Sequence, residues 1–378
     1  MKLPPFADKP KAYEKPTATI ALDHDVTAVK QVMVGGSEGP VVLVMRRTFD
    51  GLGGKGMKDT IDRYALNTLR RIDQTEVPAD AVMAYPRISD VGPGGDRFAF
   101  EHPAGKLTVV QLGTKTVIVD GLDLAGEMIG KDKAAHPGIA SIHFLTDEKI
   151  IIVTKAGVVE SWDLVGKKKV GSSESFPGAT NLVERQSLAF HRDRDPNKSL
   201  VFAYGGGAIY SAVPGGKPQL ALSVPHGPME CLALAVDGGG NRLAVAYRAS
   251  EPGEHVRFLH ARIGDPKPGS DQPLDAEVGV PRSAEWTRPE TFSIFTDKGQ
   301  GLSWDADTNQ LIAGFRTPTP TIVAADGAKH WCLLPDAKDA KKAVLVNVTL
   351  PPEDYSPSLT GDKWKAMALT ITADGTAK

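Results

Sequence analysis

The chain has little cysteine, few aromatic side chains and no long apolar run, and each shortage removes a class of protein. Two cysteines among 378 residues do not make a disulfide-stapled module, and without a Cys-x-x-Cys pair there is no thiolate zinc centre. Cys231 and Cys332 each sit inside an apolar run, MECLALAV and HWCLLP, where a free thiol behaves as a small buried hydrophobe. No uninterrupted apolar stretch approaches the roughly 18 residues that span a bilayer, so no membrane association is expected. Charge of one sign is not in excess: 44 basic residues face 46 acidic ones, a net charge of -2, so no overall field recruits nucleic acid. The opening MKLPPFADKPKAYEKP has no apolar core that could act as an export signal. Cytoplasmic placement is therefore the default expectation.

Helical periodicity is equally scarce, and only KGMKDTIDRYALNTLRR at 55–71 carries a hint of a 3.6-residue repeat. What the chain does have is 39 glycines and 28 prolines, a supply that suits many short strands joined by tight turns. Runs such as GPVVLVMRR, RFAFEHPAG, KIIIVTKAG, LVFAYGGG and RLAVAYR are strand-like and separated by turn residues. They group in fours. The clearest units are 136–175, 185–225, 226–280 and 281–318, with 26–78 and 80–130 before them and 319–350 after. Asp237-Gly238, Gly94-Gly95-Asp96 and Asp326-Gly327 each follow the first strand of a unit, where a hairpin must reverse. A period near 40 residues with four strands per repeat points to an all-β β-propeller of about seven four-stranded blades.

Such an assembly has unpaired edges at its ends. The early run TATIAL at 17–22 looks like a fourth strand lacking its own three predecessors, so it is expected to pair with 343–350. The predicted organisation is an N-terminal extension at 1–16, the propeller at 17–350, and a C-terminal extension at 351–378 holding an extra strand or the start of a further unit.

The units resemble WD40 repeats, in which a Gly-His pair precedes the first strand, a Ser or Thr lies on the second, an Asp-Gly turn follows, and a Trp-Asp pair ends the third. The unit at 136–175 has His136, Thr154, Ala156-Gly157 and Trp162-Asp163; the unit at 281–318 has Thr296, Lys298-Gly299 and Trp304-Asp305. His24 and His226 match the histidine position in units without the Trp-Asp pair. No unit keeps the full pattern, and the turn aspartates are missing. The resemblance implies a structural hydrogen-bond network through His24, His136, Thr154, Trp162, Asp163, His226, Thr296, Trp304 and Asp305.

Reactive constellations are weak by comparison. The histidines belong to different units and lack the HExxH spacing that brings two metal ligands together. The carboxylate pairs Asp23/Asp25 and Asp193/Asp195 read as solvated loops. Ser161, Ser187 and Ser303 have no GxSxG context, the glycine runs at 205–207 and 238–240 have no following GK[ST], and Lys167 to Lys169 read as a solvated hairpin. SWDADTNQLIAGF matches the tryptophan-docking repeat of quinoprotein propellers once, where a cofactor enzyme would need several. The expectation is a monomeric, non-catalytic scaffold with no metal and no cofactor, binding a protein or peptide through loops between units: Asp23, Asp25, Arg185, His226 to Met229, Arg282 and Trp286. The alternative is a propeller hydrolase or lactonase with a cation in its central channel. A third reading makes the chain the sensor or scaffold part of a longer polypeptide.

Overall fold

A computed structural model describes residues 18–22, 26–33, 40–49, 57–65, 70–78, 88–102, 106–124, 128–129, 132–133, 138–250, 256–265, 270–274, 276–288, 290–298, 300–308, 310–316, 322–326, 329–335, 343–349 and 368–370. Apart from two short 3-10 turns, all the regular structure among them is β. Strands that follow one another within a sheet pair antiparallel, and the strands gather into six four-stranded sheets, one of five, and a two-stranded hairpin of Met128–Ile129 with Asp132–Lys133. Sheet 1 holds Val26–Met33, Pro40–Phe49, Met57–Ala65 and Arg71–Glu76; sheet 2 holds Ser89–Val91, Arg97–His102, Lys106–Gln111 and Val117–Asp123. Sheet 3 comprises Ile139–Thr146, Lys149–Thr154, Val159–Asp163 and Lys168–Ser172, and sheet 4 comprises Leu188–His191, Leu200–Gly205, Ala208–Ala212 and Gln219–Ser223. Sheet 5 is Pro228–Val236, Arg242–Ala249, Val256–Arg262 and Ser270–Pro273. Sheet 6 is Pro281–Arg288, Thr291–Thr296, Gln300–Asp305 and Gln310–Arg316. Sheet 7 takes Ile322–Asp326, Lys329–Pro335 and Ala343–Thr349 from the end of the chain and Ala18–Leu22 from its start.

That last pairing is antiparallel, from Ala18 opposite Asn347 to Leu22 opposite Ala343. It is the pairing expected for TATIAL. The strand Ala368–Thr370 lies parallel to Gln310–Arg316 on the outside of sheet 6, not on the sheet that contains Ala18–Leu22. The hint of helix at 55–71 is corrected: Met57–Ala65 is a strand paired over its whole length with Pro40–Phe49. Its side chains explain why. Asp59, Ile61 and Arg63 share one face at the period of a strand: Ile61 is buried with Leu43 and Met45, Asp59 takes a two-pronged contact from Arg47 at 2.7 and 2.9 Å, and Arg63 pairs with Asp73. On the opposite face buried Asp62 lies 2.7 Å from Arg46 and accepts from Gln74 at 2.9 Å. Pairing across three strands thus satisfies charges that a helix would have left on its surface.

The core consists of layers between consecutive sheets. Along Lys149–Thr154, Ile150 and Ile152 face sheet 2 with Ala99, Leu107 and Val109, while Ile151 and Val153 face sheet 4 with Val201 and Ala203. Both faces of the sheet are buried, which is why its strands read as continuous apolar runs and not as alternation. Equivalent layers join sheet 1 to 2 through Met45, Phe98 and Phe100, sheet 4 to 5 through Phe202 and Tyr247, and sheet 5 to 6 through Phe258, Phe292 and Trp304. The first strand of sheet 7 lies close to the first strands of both sheet 6 and sheet 1. Backbone approach is closest at Gly205, where an added Cβ would stand 2.1 Å from the Pro177 carbonyl oxygen and 2.8 Å from the Ala179 nitrogen.

Candidate functional site

The loops that lead into the first strands were the expected binding surface, and the one before sheet 4 is held most firmly. Arg185 adopts a φ of 65°, costly for a residue with a side chain, and its surroundings fix it there. Its N–H donates to the Leu188 carbonyl at 2.8 Å, and its own carbonyl accepts from Leu234 of sheet 5 at 3.1 Å. Its guanidinium then reaches past sheet 5 to Glu285 on the first strand of sheet 6, at 2.8 Å. The Cys231 thiol, beside Met229 on the first strand of sheet 5, donates to the Gln186 carbonyl at 3.0 Å. The loop carrying Arg185 thus runs along the strand carrying Met229, whose side chain is 60 % exposed.

A second arginine does the same at the other end of that short strand. Arg192 follows Leu188–His191 and donates to Asp90 at 2.8 Å, reaching past sheet 3 to sheet 2. Asp90 also accepts from the Phe144 N–H of sheet 3 at 2.7 Å, so one carboxylate ties three sheets together. Between them His143 stacks on Phe190, ring centroids 4.2 Å apart. Sheet 4 is consequently anchored by charge to the sheets two places away on both sides.

The remaining expected surface residues divide. Arg282 is exposed and lies 3.6 Å from Asp297, a contact weak enough to be exchanged for a ligand group. Trp286 departs from the expectation: it is half-buried and packs on the cluster of Phe258, Phe292 and Trp304, its ring 5.3 Å from that of Phe292. On an extended strand Glu285 and Trp286 point to opposite faces, and Glu285 is the one that meets Arg185. Asp23 and Asp25 lie outside the described residues.

The residues expected to form a WD40-type network are placed on the strands that the resemblance implies, but they bond locally. Thr154 ends the second strand of sheet 3, and its Oγ1 accepts from the Val158 N–H at 3.0 Å. Trp162 donates its indole N–H to Glu160 at 3.1 Å. Asp163 and Asp305 cap the turns after their strands, accepting from Val165 at 3.0 Å and from Asp307 and Thr308 at 2.9 and 2.7 Å. Thr296 donates to the Val278 carbonyl at 2.8 Å, and Trp304 stacks on Phe292 at an interplanar angle of 11°. His24 and His136 lie outside the described residues.

His226 belongs to a fuller network of different make-up, which the sequence did not disclose. Held at φ 61°, it brings Nε2 to 2.9 Å from Asp271 Oδ2 on the outer strand of sheet 5. The other carboxylate oxygen accepts from Tyr247 Oη and Arg257 Nε, both at 3.0 Å. Burial pushes the Tyr247 phenol well above its usual range, and the Asp271 carboxylate adds to the effect. Three side chains, from the leading loop and from the second and third strands, meet at the Asp271 carboxylate of the fourth. The only signal for this in the sequence was the polar run SDQP at the edge.

The carboxylates Asp193 and Asp195 brace a turn: Asp193 accepts from the Asp195 N–H at 2.8 Å, and Asp195 caps the 3-10 turn at Pro196–Lys198. Ser303 bonds Ser293 at 2.7 Å in the interior, and Ser187 accepts from Val183 N–H at 2.9 Å. Among the described residues no group of three or more His, Cys, Asp or Glu converges as a metal site would require. No helix among them is long and apolar enough to cross a membrane.

No protein-family model and no curated protein matches the chain.

Proposed function

We propose that the seven sheets are the blades of a closed WD40-like β-propeller, and that the chain is a non-catalytic interaction module binding a protein or peptide on the face that carries the loops ahead of the inner strands. The support for closure is the sequence of neighbours: every sheet packs on the next, the last lies against the first, and Ala18–Leu22 completes the final sheet from the other end of the chain. In that arrangement the first strand of each sheet lines the axis, and the segments before these strands emerge on one face. Loops on a rigid scaffold are where binding residues concentrate.

The observation that carries the binding reading is the Arg185–Glu285 link, made from a loop that runs along the strand carrying exposed Met229. A flexible exposed apolar side chain on a strand that a fixed, charged loop runs along suits a peptide presenting both apolar and charged groups. In this reading the module itself needs no cofactor.

The test places a photo-crosslinking residue at Met229 and, as a comparison, at Val170 on the outer strand of sheet 3, where the side chain is also exposed. A partner adduct formed from position 229 and not from 170, reduced at least tenfold by R185E with R282E, supports the proposal. Equal adducts at both positions, or indifference to the charge reversals, refutes it.

A further inference from the structure

Among the named strands, every pairing is antiparallel except one: Ala368–Thr370 joins the outer strand of sheet 6 parallel to it, with Gly314, Phe315 and Arg316 opposite Ala368, Leu369 and Thr370. The outermost strands of the other sheets show why this edge differs. An open edge invites another strand, and proteins guard such edges with charge, proline or brevity. Sheet 1 ends in RIDQTE, sheet 2 in VIVDGLD, sheet 3 in KKVGS and sheet 5 in SDQP, each carrying a charged residue and the last also a proline. Sheet 4 ends in the short QLALS, directly after Lys217-Pro218, and sheet 7 in the short ATIAL, between Pro16 and Asp23. Sheet 6 ends in QLIAGFR, seven residues with no charge before Arg316. Among the described outer strands it has the longest uncharged run, and it is the one the chain covers with its own segment.

The cover is slight. Only three residue pairs form, in the parallel geometry that is the weaker per residue, and the covering segment follows the last strand of sheet 7, Ala343–Thr349, in the chain. We infer that the outer edge of sheet 6 is a docking edge for an extended, uncharged strand of a partner protein, and that Ala368–Thr370 occupies it as a displaceable stand-in. The stand-in describes the chemistry of the partner. Residues 366–373, AMALTITA, are uncharged between Lys365 and Asp374, and strand addition takes affinity from backbone hydrogen bonds and selectivity from alternate side chains. This surface is the rim of the molecule, separate from the loop face proposed above, and does not depend on that reading.

The experiment uses the full chain, a fluorescent peptide of residues 365–374, and two variants that weaken the cover. L369P removes an N–H and bars extended pairing, whereas A368D with T370D places charge on the segment and leaves the backbone intact. Expected results are at least tenfold tighter peptide binding by both variants than by the unaltered chain, and faster amide exchange across 310–316 that slows again when peptide is added. A peptide with proline at the central position should not bind. Equal binding by variants and unaltered chain, unchanged exchange at 310–316, or equal binding of the proline peptide overturns the inference. Crosslinking from position 229 is unaffected by either variant, so failure here and failure of the loop-face reading are separately visible.

Discussion

Replacing Asp271 with alanine should be the most damaging single change at the His226 network, and the size of the loss can be worked from its surroundings. The carboxylate is 10 % exposed and its Arg257 partner 15 %, while Tyr247 is fully buried. Removing one member of a buried charge pair costs about 3–5 kcal/mol, because the other is left uncompensated. The orphaned Tyr247 hydroxyl adds about 1 kcal/mol or more, and the residual exposure of Arg257, which lets water reach it, takes the sum back to about 3 kcal/mol. Unfolding entropy near 60 °C is about 2.1 cal/mol/K per residue, or about 0.8 kcal/mol/K over 378 residues, so the melting temperature should fall by about 4 °C if the chain unfolds as one unit. Calorimetry and urea unfolding both read this. A double-mutant cycle isolates the cause: Y247F alone should cost about 1 kcal/mol, and in the D271A background it should cost nothing or recover part of the loss, because the buried hydroxyl has already lost its acceptor. A D271A loss under about 1 kcal/mol, or an equal cost of Y247F in both backgrounds, would refute the reasoning.

Three further outcomes follow from particular contacts. G205A should destabilise by at least about 2 kcal/mol, since backbone atoms of Pro177 and Ala179 stand where the methyl must go, whereas G171A, with nothing within 4 Å of its new Cβ, should be close to neutral in the same urea titration. F292A should cost about 3–5 kcal/mol because the fully buried ring is in contact with Phe258, Trp286 and Trp304; a loss below about 1 kcal/mol by denaturant unfolding would contradict the packing. The Cys231 thiol is pushed far above its ordinary range by burial, so peptide-resolved labelling with a thiol reagent should stay slow between pH 7 and pH 9 and become fast only in denaturant; labelling that climbs with pH in the folded protein would place the thiol in water.

The sheet pattern was legible because burial on both faces writes continuous apolar strands into the chain, and the turns between them carry glycine and aspartate. The units read at 136–175 and 185–225 contain sheets 3 and 4 for that reason. The segment 55–71 misled because Asp59, Asp62 and Arg63 look like the polar face of a helix until Arg47, Arg46 and Asp73 are brought opposite them by strand pairing. Site residues were harder still. Arg185 meets Glu285 across 100 positions and Arg192 meets Asp90 across 102, and nothing local marks either partner. Trp162 bonds Glu160 and His226 meets Asp271, partners that neither spacing nor resemblance marked in the sequence.

The pairing of Ala18–Leu22 with Ala343–Thr349 also bears on how the protein is made. The first of these strands leaves the ribosome long before its partner exists, and at about 5–20 residues per second the interval is roughly 20 s to a minute. For that time an uncharged strand must stay unpaired beside sheets 1 to 6, which can fold in order as they emerge. Completion of sheet 7 is then a late step joining strands made far apart in time, and the nascent protein spends that interval with an unpaired strand that a chaperone would have reason to hold.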